Sequence, residues 1–292
     1  MILLRVSLLF LALFLLPDWY ICKTYLSHWH NKKWKRRFWW PTLVLLLILA
    51  VFLIGHDQLH EYFGTYLIVA LCVTIPKTLF MLTSILLRLL QKLFRCHLPH
   101  GSISLVPAVL ILGYILFGAL KGKEYFQVKE VTFCSPDLPD AFDGYRILQL
   151  SDIHSGSWKG NGEALRKAIA LCNQQKADLA VFTGDLVNSR ADELVEFMPI
   201  FSQLKAPDGV YAVLGNHDYG TYAKWENEHA RLANVDSLIA RENRMGWKML
   251  LNDSHIIYKG KDSLALAGVE NSGKPPFPDR GDLPKALKGT DG

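Results

Sequence analysis

Two hydrophobic patterns divide the chain. Up to about residue 120 the apolar positions run together in long blocks, and beyond residue 124 they come in short runs separated by polar loops. Four blocks, 1–22, 39–55, 62–90 and 103–120, predict helices across a bilayer, which takes roughly 20 apolar residues. Pro76 and Lys77 interrupt the third block. The first block has the place and length of a signal sequence. Its n-region carries a single basic residue, Arg5, and no small-x-small site follows Pro17, so it reads as a retained anchor.

In the second half, FQVKEVTF (126–133) alternates and predicts a strand. A proline-bearing loop follows, then YRILQLSDIH, a buried strand with a polar end. Residues 163–174 carry Leu165, Ala168, Ile169, Leu171 and Cys172 at helical spacing. ADLAVFTGD (177–185) predicts a second buried strand, and 191–204 an amphipathic helix with Leu194, Phe197, Ile200 and Phe201 on one face. GVYAVLGNHD is a third strand, helical spacing returns near 226–244, and HIIYKG and SLALAGVEN predict two more strands. Strand, helix, strand, helix, strand implies right-handed crossovers and a parallel sheet. The expected organisation is a transmembrane domain over 1–120 and an α/β domain over 121–292, in keeping with 292 residues and about two domains.

Charge refines this picture. The formal net charge is +5, and much of the surplus lies in KKWKRRFWW, where Lys32, Lys33, Lys35, Arg36 and Arg37 sit among Trp34, Trp39 and Trp40. Basic residues with interfacial tryptophans describe a cytoplasmic loop better than a nucleic-acid surface, so no nucleic acid is expected as a partner. His28 and His30 form a surface HxH with no third ligand nearby. With Lys23, Arg88, Lys92 and Arg95, this side of the membrane carries nine basic residues against four (Arg5, Lys121, Lys123, Lys129) on the other. The bias predicts both termini, and hence the α/β domain, outside the cytoplasm of an inner or plasma membrane. Lys77 is the main charge inside the spans, so no polar pathway for a channel or transporter is evident. The five cysteines show no paired spacing, which leaves neither a disulfide framework nor a zinc knuckle.

The candidate chemistry lies at the ends of the three parallel strands, along the edge where open α/β sheets bind ligands. Those ends read SDIH, TGDLVN and LGNHD and supply Asp152, His154, Asp185, Asn216, His217 and Asp218. If the strand end stays extended, Asp152 and His154 project to one side and share one ion. Asp185 is placed to bridge to a second ion, which Asn216 would ligate through its carbonyl oxygen. Carboxylate and imidazole suit manganese, iron or zinc. Two ions roughly 3.5–4 Å apart clamp a phosphoryl group and activate water. Gly184 and Gly215 leave room for close backbone and phosphate approach, and His217 sits where a leaving oxygen needs a proton.

The order DxH, GDxxN, GNHD, with the flanking text RILQLSDIHSG, ADLAVFTGDLVN and GVYAVLGNHDY, resembles the calcineurin-like metallophosphoesterase family, in particular its small, sometimes membrane-anchored bacterial phosphodiesterases. The resemblance covers about residues 126–292 and implies an αββα sandwich. It also implies two divalent metal ions on Asp152, His154, Asp185 and Asn216, with His217 acting on the leaving group. Asn188 stands where many members have an aspartate that orients the catalytic histidine, and Arg190 lies one position later than the arginine of many relatives. The family completes its metal shell with later histidines, typically a GHxH, and here His229 and His255 are poor substitutes. The expectation is a domain whose C-terminal part is missing. The function implied is a membrane-anchored phosphoesterase acting on phosphomonoesters, phosphodiesters or pyrophosphates, with membrane lipids around it and a phosphorylated small molecule or lipid as substrate. The alternative is a binding or regulatory module that keeps the fold without turnover.

Overall fold

A computed structural model of the chain describes residues 2–27, 32–54, 60–275 and 277–290. The chain divides into two compact units, Met1–Gln127 and Val128–Gly292.

The first unit is helical, with α1 (Ile2–Thr24), α2 (Lys32–Ile54), α3 (His60–Phe94) and α4 (His100–Leu120). Two stretches, Tyr62–Phe94 and His100–Leu120, pass on length and apolarity as membrane-crossing helices. Large apolar side chains such as Leu47, Leu86 and Leu110 face outward, as a lipid solvent permits. Inside, Phe14, Leu45, Tyr66 and Ala70 pack together. A polar cluster ties three helices: Lys77 Nζ lies 2.7 Å from Asp18 Oδ1, and Thr42 donates to Asp18 Oδ2 at 2.5 Å. Asp18 is fully buried and partnered, as an intramembrane charge must be.

Two features differ from the sequence expectation. Helix α3 continues through Pro76, and hydroxyls of Thr74 and Thr78 bond the carbonyls of Ala70 and Thr74 on the flanking turns. Such local partners are what let membrane helices tolerate proline. The basic stretch from Lys32 is the opening of α2 rather than a loop, because lysine, arginine and tryptophan lack any helix-breaking feature. His28 and His30 lie outside the described residues.

The second unit is built on a parallel sheet of β1 (Ile147–Leu150), β2 (Leu179–Phe182), β3 (Val210–Ala212) and β4 (Trp247–Met249), in that spatial order. Helices α5 (Gly162–Gln174), α6 (Met198–Phe201) and α7 (Glu228–Arg244) join successive strands. Their inner faces pack Leu165, Ile169, Phe201 and Leu238 against Phe182 and Trp247 of the sheet. On the opposite face, Leu179, Tyr211 and Leu250 meet Ile257 and Leu264 of an antiparallel hairpin, β5 (Asp253–Lys259) and β6 (Asp262–Gly268). A short helix, α8 (Leu283–Ala286), follows. The layers run helix, sheet, sheet. Register pairs Leu150 with Phe182 and Phe182 with Ala212, so the first three strands end level.

Several local expectations change. Residues 126–133 form no strand, and Val131 and Phe133 are each 81% exposed, because alternation forms a ladder only where a partner strand exists. Strand β1 is an edge strand among the described residues, and Ile147 is exposed rather than buried. The helix expected over 191–204 is a 3₁₀ turn at Ala191–Leu194 followed by α6. Its apolar face is buried as expected, but Pro199 restarts the helix, since its ring fits only a first turn.

Candidate metal centre

The site begins where three level strands stop. Beyond β1 the chain does not stay extended. Asp152 (φ 55°), His154 (φ 49°) and Asp185 (φ 60°) all adopt the left-handed conformation. Side-chain-bearing residues reach it only at a cost of order 1–3 kcal/mol each, and such strain gathers at functional sites. The side chains are therefore aimed by this backbone, not by the strand alternation expected from the sequence. The strain is held by a ladder that continues past the strands. Asp152 N–H donates to Gly184 O at 3.0 Å, His154 N–H to Asp185 O at 3.0 Å, and Ser155 N–H to Leu186 O at 2.8 Å.

The third strand end is locked to the second by Asp218. Its carboxylate accepts four backbone N–H groups: Asp185 (2.7 Å), Leu186 (2.9 Å), Val187 (3.1 Å) and Gly215 (2.9 Å). Burial pushes the Asp218 carboxyl up to about 7, opposed by the donors at Gly215 and Val187 and reinforced by the Asp185 carboxylate. Glu242 of α7 is also buried, and neither of its carboxylate oxygens has a partner among the described residues. Burial, and then the charge of Asp218, holds its carboxyl well above the ordinary carboxylate range.

Gly184 and Gly215 meet each other across this junction. A β-carbon on Gly184 would overlap the backbone of Gly215, and one on Gly215 would lie 2.5 Å from the nitrogen of Asp185. Gly184 also takes φ 100°, which favours glycine. The two glycines thus allow loop to meet loop.

Around this frame, ligand-capable atoms of His154, Asp185 and His217 lie within 4.8 Å of one another. Asp185 Oδ1 accepts the backbone N–H of His217 at 2.9 Å, and Oδ2 lies 3.9 Å from His154 Nε2. Asp152 Oδ1 approaches the same nitrogen at 4.0 Å from an exposed side chain. The imidazoles of His154 and His217 stand edge to face, 4.6 Å apart. His217 Nδ1 lies 2.8 Å from the carbonyl oxygen of Asn188. A carbonyl only accepts, so Nδ1 carries the proton and Nε2 is left for other chemistry. Tyr222 stacks on the His217 ring at 4.2 Å, and its hydroxyl accepts from Asn216 Nδ2 at 2.8 Å. That bond orients the amide and leaves its carbonyl oxygen to face elsewhere.

The sequence-selected residues therefore fall into three groups. His154, Asp185 and His217 converge, with Asp152 at their margin and Asn216 beside them. Asp218 is the scaffold. Asn188 touches His217 through its backbone carbonyl, while its side chain accepts from Ser157 Oγ at 3.3 Å, so the orienting atom is not the expected amide. Arg190 stacks over Trp225 at 4.6 Å and donates to Lys224 O at 3.3 Å. Of the later histidines, His255 packs on the Tyr211 ring across the sheet from the helices, and His229 lies in the first turn of α7. Sequence reasoning missed Tyr222, whose only signal is an aromatic six residues after Asn216. It also missed Glu193, which accepts the N–H groups of Asn188, Ser189 and Arg190 at 2.7–3.0 Å and fixes the Asn188 loop.

Imidazoles and carboxylates gathered at the carboxyl ends of a parallel sheet, in a chain that also carries long apolar helices, define a membrane-linked α/β domain with a metal-type donor set. Residues 145–283 match the calcineurin-like phosphoesterase family, and residues 4–123 match a probable calcineurin-like phosphoesterase transmembrane domain. The two matches give the chain a calcineurin-like phosphoesterase domain preceded by a phosphoesterase-type transmembrane domain, which supports a membrane location. Relatives include a transmembrane protein with metallophosphoesterase domain from Danio rerio, 28% identical over 65% of this chain and 42% of that protein. The uncharacterised metallophosphoesterase YkuE of Bacillus subtilis is 36% identical over 33% of this chain and 34% of its own length. The UDP-2,3-diacylglucosamine pyrophosphatase LpxG of Chlamydia trachomatis is 34% identical over 38% of this chain and 34% of that enzyme. The chain spans less than half the length of each. No solved structure gives a significant match.

Proposed function

We propose that this chain carries a phosphoesterase centre served by two divalent ions, manganese, iron or zinc, and that it cleaves a phosphomonoester, phosphodiester or pyrophosphate bond. The convergence of His154, Asp185 and His217 within 4.8 Å is the observation that carries this reading. The donor set fits such ions: Asp185 keeps Oδ2 for them while Oδ1 is held by His217 N–H, and the tautomer of His217 is fixed by Asn188. Asp152 and His154 would hold one ion, Asp185 would bridge, and Asn216 would offer its carbonyl oxygen to the second. Bound ions of this kind supply Lewis acidity toward a phosphoryl oxygen and activate water. The chain's own residues do the rest. His217 in its imidazolium form donates the Nε2 proton to the departing oxygen, with Nδ1–H anchored on Asn188 and the ring held flat by Tyr222. Asp218 ties the third strand end to the second and so holds Asp185 and Gly215 in place.

Membrane location, together with the resemblance to a lipid-sugar pyrophosphatase, supports a phosphorylated lipid or small molecule as substrate. The loop-charge bias supports an extracytoplasmic site in an inner or plasma membrane. The test uses the full chain in detergent with manganese, supplied with p-nitrophenyl phosphate and bis-p-nitrophenyl phosphate. Release of nitrophenol that falls at least about a hundredfold in Asp185→Asn and His217→Ala supports the proposal. Release unchanged in both variants would sink it, and no release from a folded, metal-loaded chain would favour a binding module.

A further inference from the structure

The transmembrane unit carries its cations unevenly, and the imbalance leads to a second site. Lys77, deep in the unit, is matched by Asp18. Arg88, Lys92 and Arg95 follow at i, i+4 and i+7 along one face of α3 and the residue just after it, and among the described residues none of them forms an ion pair. The sequence holds no aspartate or glutamate between residues 19 and 56 or between 78 and 123, so neither the start of α2 nor that of α4 supplies a counter-charge. The side chains of Lys92, Arg95 and His97 make no hydrogen bond or ion pair with the described residues.

These cations line a cavity of about 500 Å³ with Gln91, His97 and His100. One neighbour of the cluster, Tyr25, is held by several contacts. The Tyr25 hydroxyl bonds Ser84 Oγ at 2.5 Å, its ring meets Phe80 edge-on at 5.2 Å, and the Arg88 guanidinium lies 5.4 Å from its centroid. Gln91 Oε1 is buried with no partner among the described residues, an acceptor in need of a donor. The first turn of α4 has no side-chain cap, so its open N–H groups add positive potential. Three like charges around one cavity repel one another, and an anion relieves the repulsion. Directly alongside, Leu89, Leu93 and Phe94 are 60%, 72% and 69% exposed, a surface for acyl chains rather than for water.

We propose that this cavity binds the phosphate headgroup of an anionic phospholipid, with Arg88, Lys92 and Arg95 on the phosphate and a headgroup hydroxyl on Gln91. Basic pockets at the ends of membrane helices recognise lipid phosphates in this way, and 500 Å³ is ample for a headgroup.

The experiment titrates the full chain, in a neutral detergent, with phosphatidylglycerol, phosphatidylcholine or inorganic phosphate while thermal stability is followed. Phosphatidylglycerol should raise the Tm and phosphatidylcholine should not. Lys92→Gln with Arg95→Gln should weaken phosphatidylglycerol binding on the order of twentyfold, and Lys92→Arg with Arg95→Lys should retain it. Equal responses to the two lipids, or an unchanged affinity in the double glutamine variant, overturns the proposal. An equal response to inorganic phosphate alone overturns the lipid assignment in favour of a soluble anion. Should the glutamine variant fail to fold, hydrogen exchange on the wild type decides. Slowing at residues 95–103 by phosphatidylglycerol but not by phosphatidylcholine supports the site, and no slowing overturns it.

Discussion

The carboxylate of Asp218 accepts the backbone N–H of Asp185 at 2.7 Å, so the acid closing the third strand end fixes the acid closing the second. Three further N–H groups share that carboxylate. Asp218→Ala leaves all four donors, three of them buried, without this partner, each buried one costing of order 1 kcal/mol or more. Amide exchange at Asp185, Leu186 and Val187 should accelerate by about a hundredfold or more, equivalent to about 3 kcal/mol. Exchange unchanged from wild type would mean the loops are held by something else.

Glycine substitutions separate crowding from backbone strain. Gly215→Ala brings a β-carbon onto Asp185, whereas Gly246→Ala meets nothing within 4 Å and faces only its φ of 89°. The first should cost more than about 3 kcal/mol and abolish metal binding, and the second about 1–2 kcal/mol with metal binding intact. Denaturant midpoints and metal titrations of the two variants check both expectations.

Much of the fold and part of the site were legible in the sequence, for physical reasons that also mark the limit. Apolar blocks and buried runs such as LAVF report burial directly, so the helices and strands β2 and β3 follow from pattern. Strand β4, WKM, has a lysine at its centre and no continuous apolar run, so no pattern announces it. The segment 126–133 alternates like a strand yet has no described partner, because periodicity says nothing about pairing. Residue type at the strand ends marks Asp152, His154, Asp185 and His217 as candidate ligands. It does not tell how they are aimed, since three left-handed residues replace the extended geometry that alternation implies. The GDxxN pattern points to the Asn188 side chain, whereas its backbone carbonyl is what meets His217 Nδ1, a distinction no sequence carries.

Tyr222 should prove to be a positioning residue. Tyr222→Phe keeps the stack on His217 but removes the hydroxyl that accepts from Asn216. Affinity for the more weakly held ion should fall by about tenfold, within the range for partners of metal ligands, and by more in Tyr222→Leu. Calorimetric titration with manganese measures this, and equal affinities in all three proteins would remove Tyr222 from the site.

Glu242 predicts a pH dependence of stability. Its carboxyl is held well above the usual range by burial, so the folded chain keeps a proton that the unfolded chain releases above about 4.3. The stability contribution is therefore present at low pH and declines as pH rises toward the folded value. Glu242→Gln lacks that decline. Its advantage over wild type should grow with pH above about 5, by at most about 1.4 kcal/mol per pH unit. Urea unfolding at pH 5, 7 and 8.5 tests this, and a difference that stays flat across the series contradicts it.

The most direct test of the metal centre is ion stoichiometry on the purified full chain. The protein is loaded with manganese or zinc, desalted, and assayed by elemental analysis beside Asp185→Asn. Two ions per chain in the wild type, both lost in the variant, is the expected result. No retained ion, or the same content in both proteins, would contradict a centre built on Asp185.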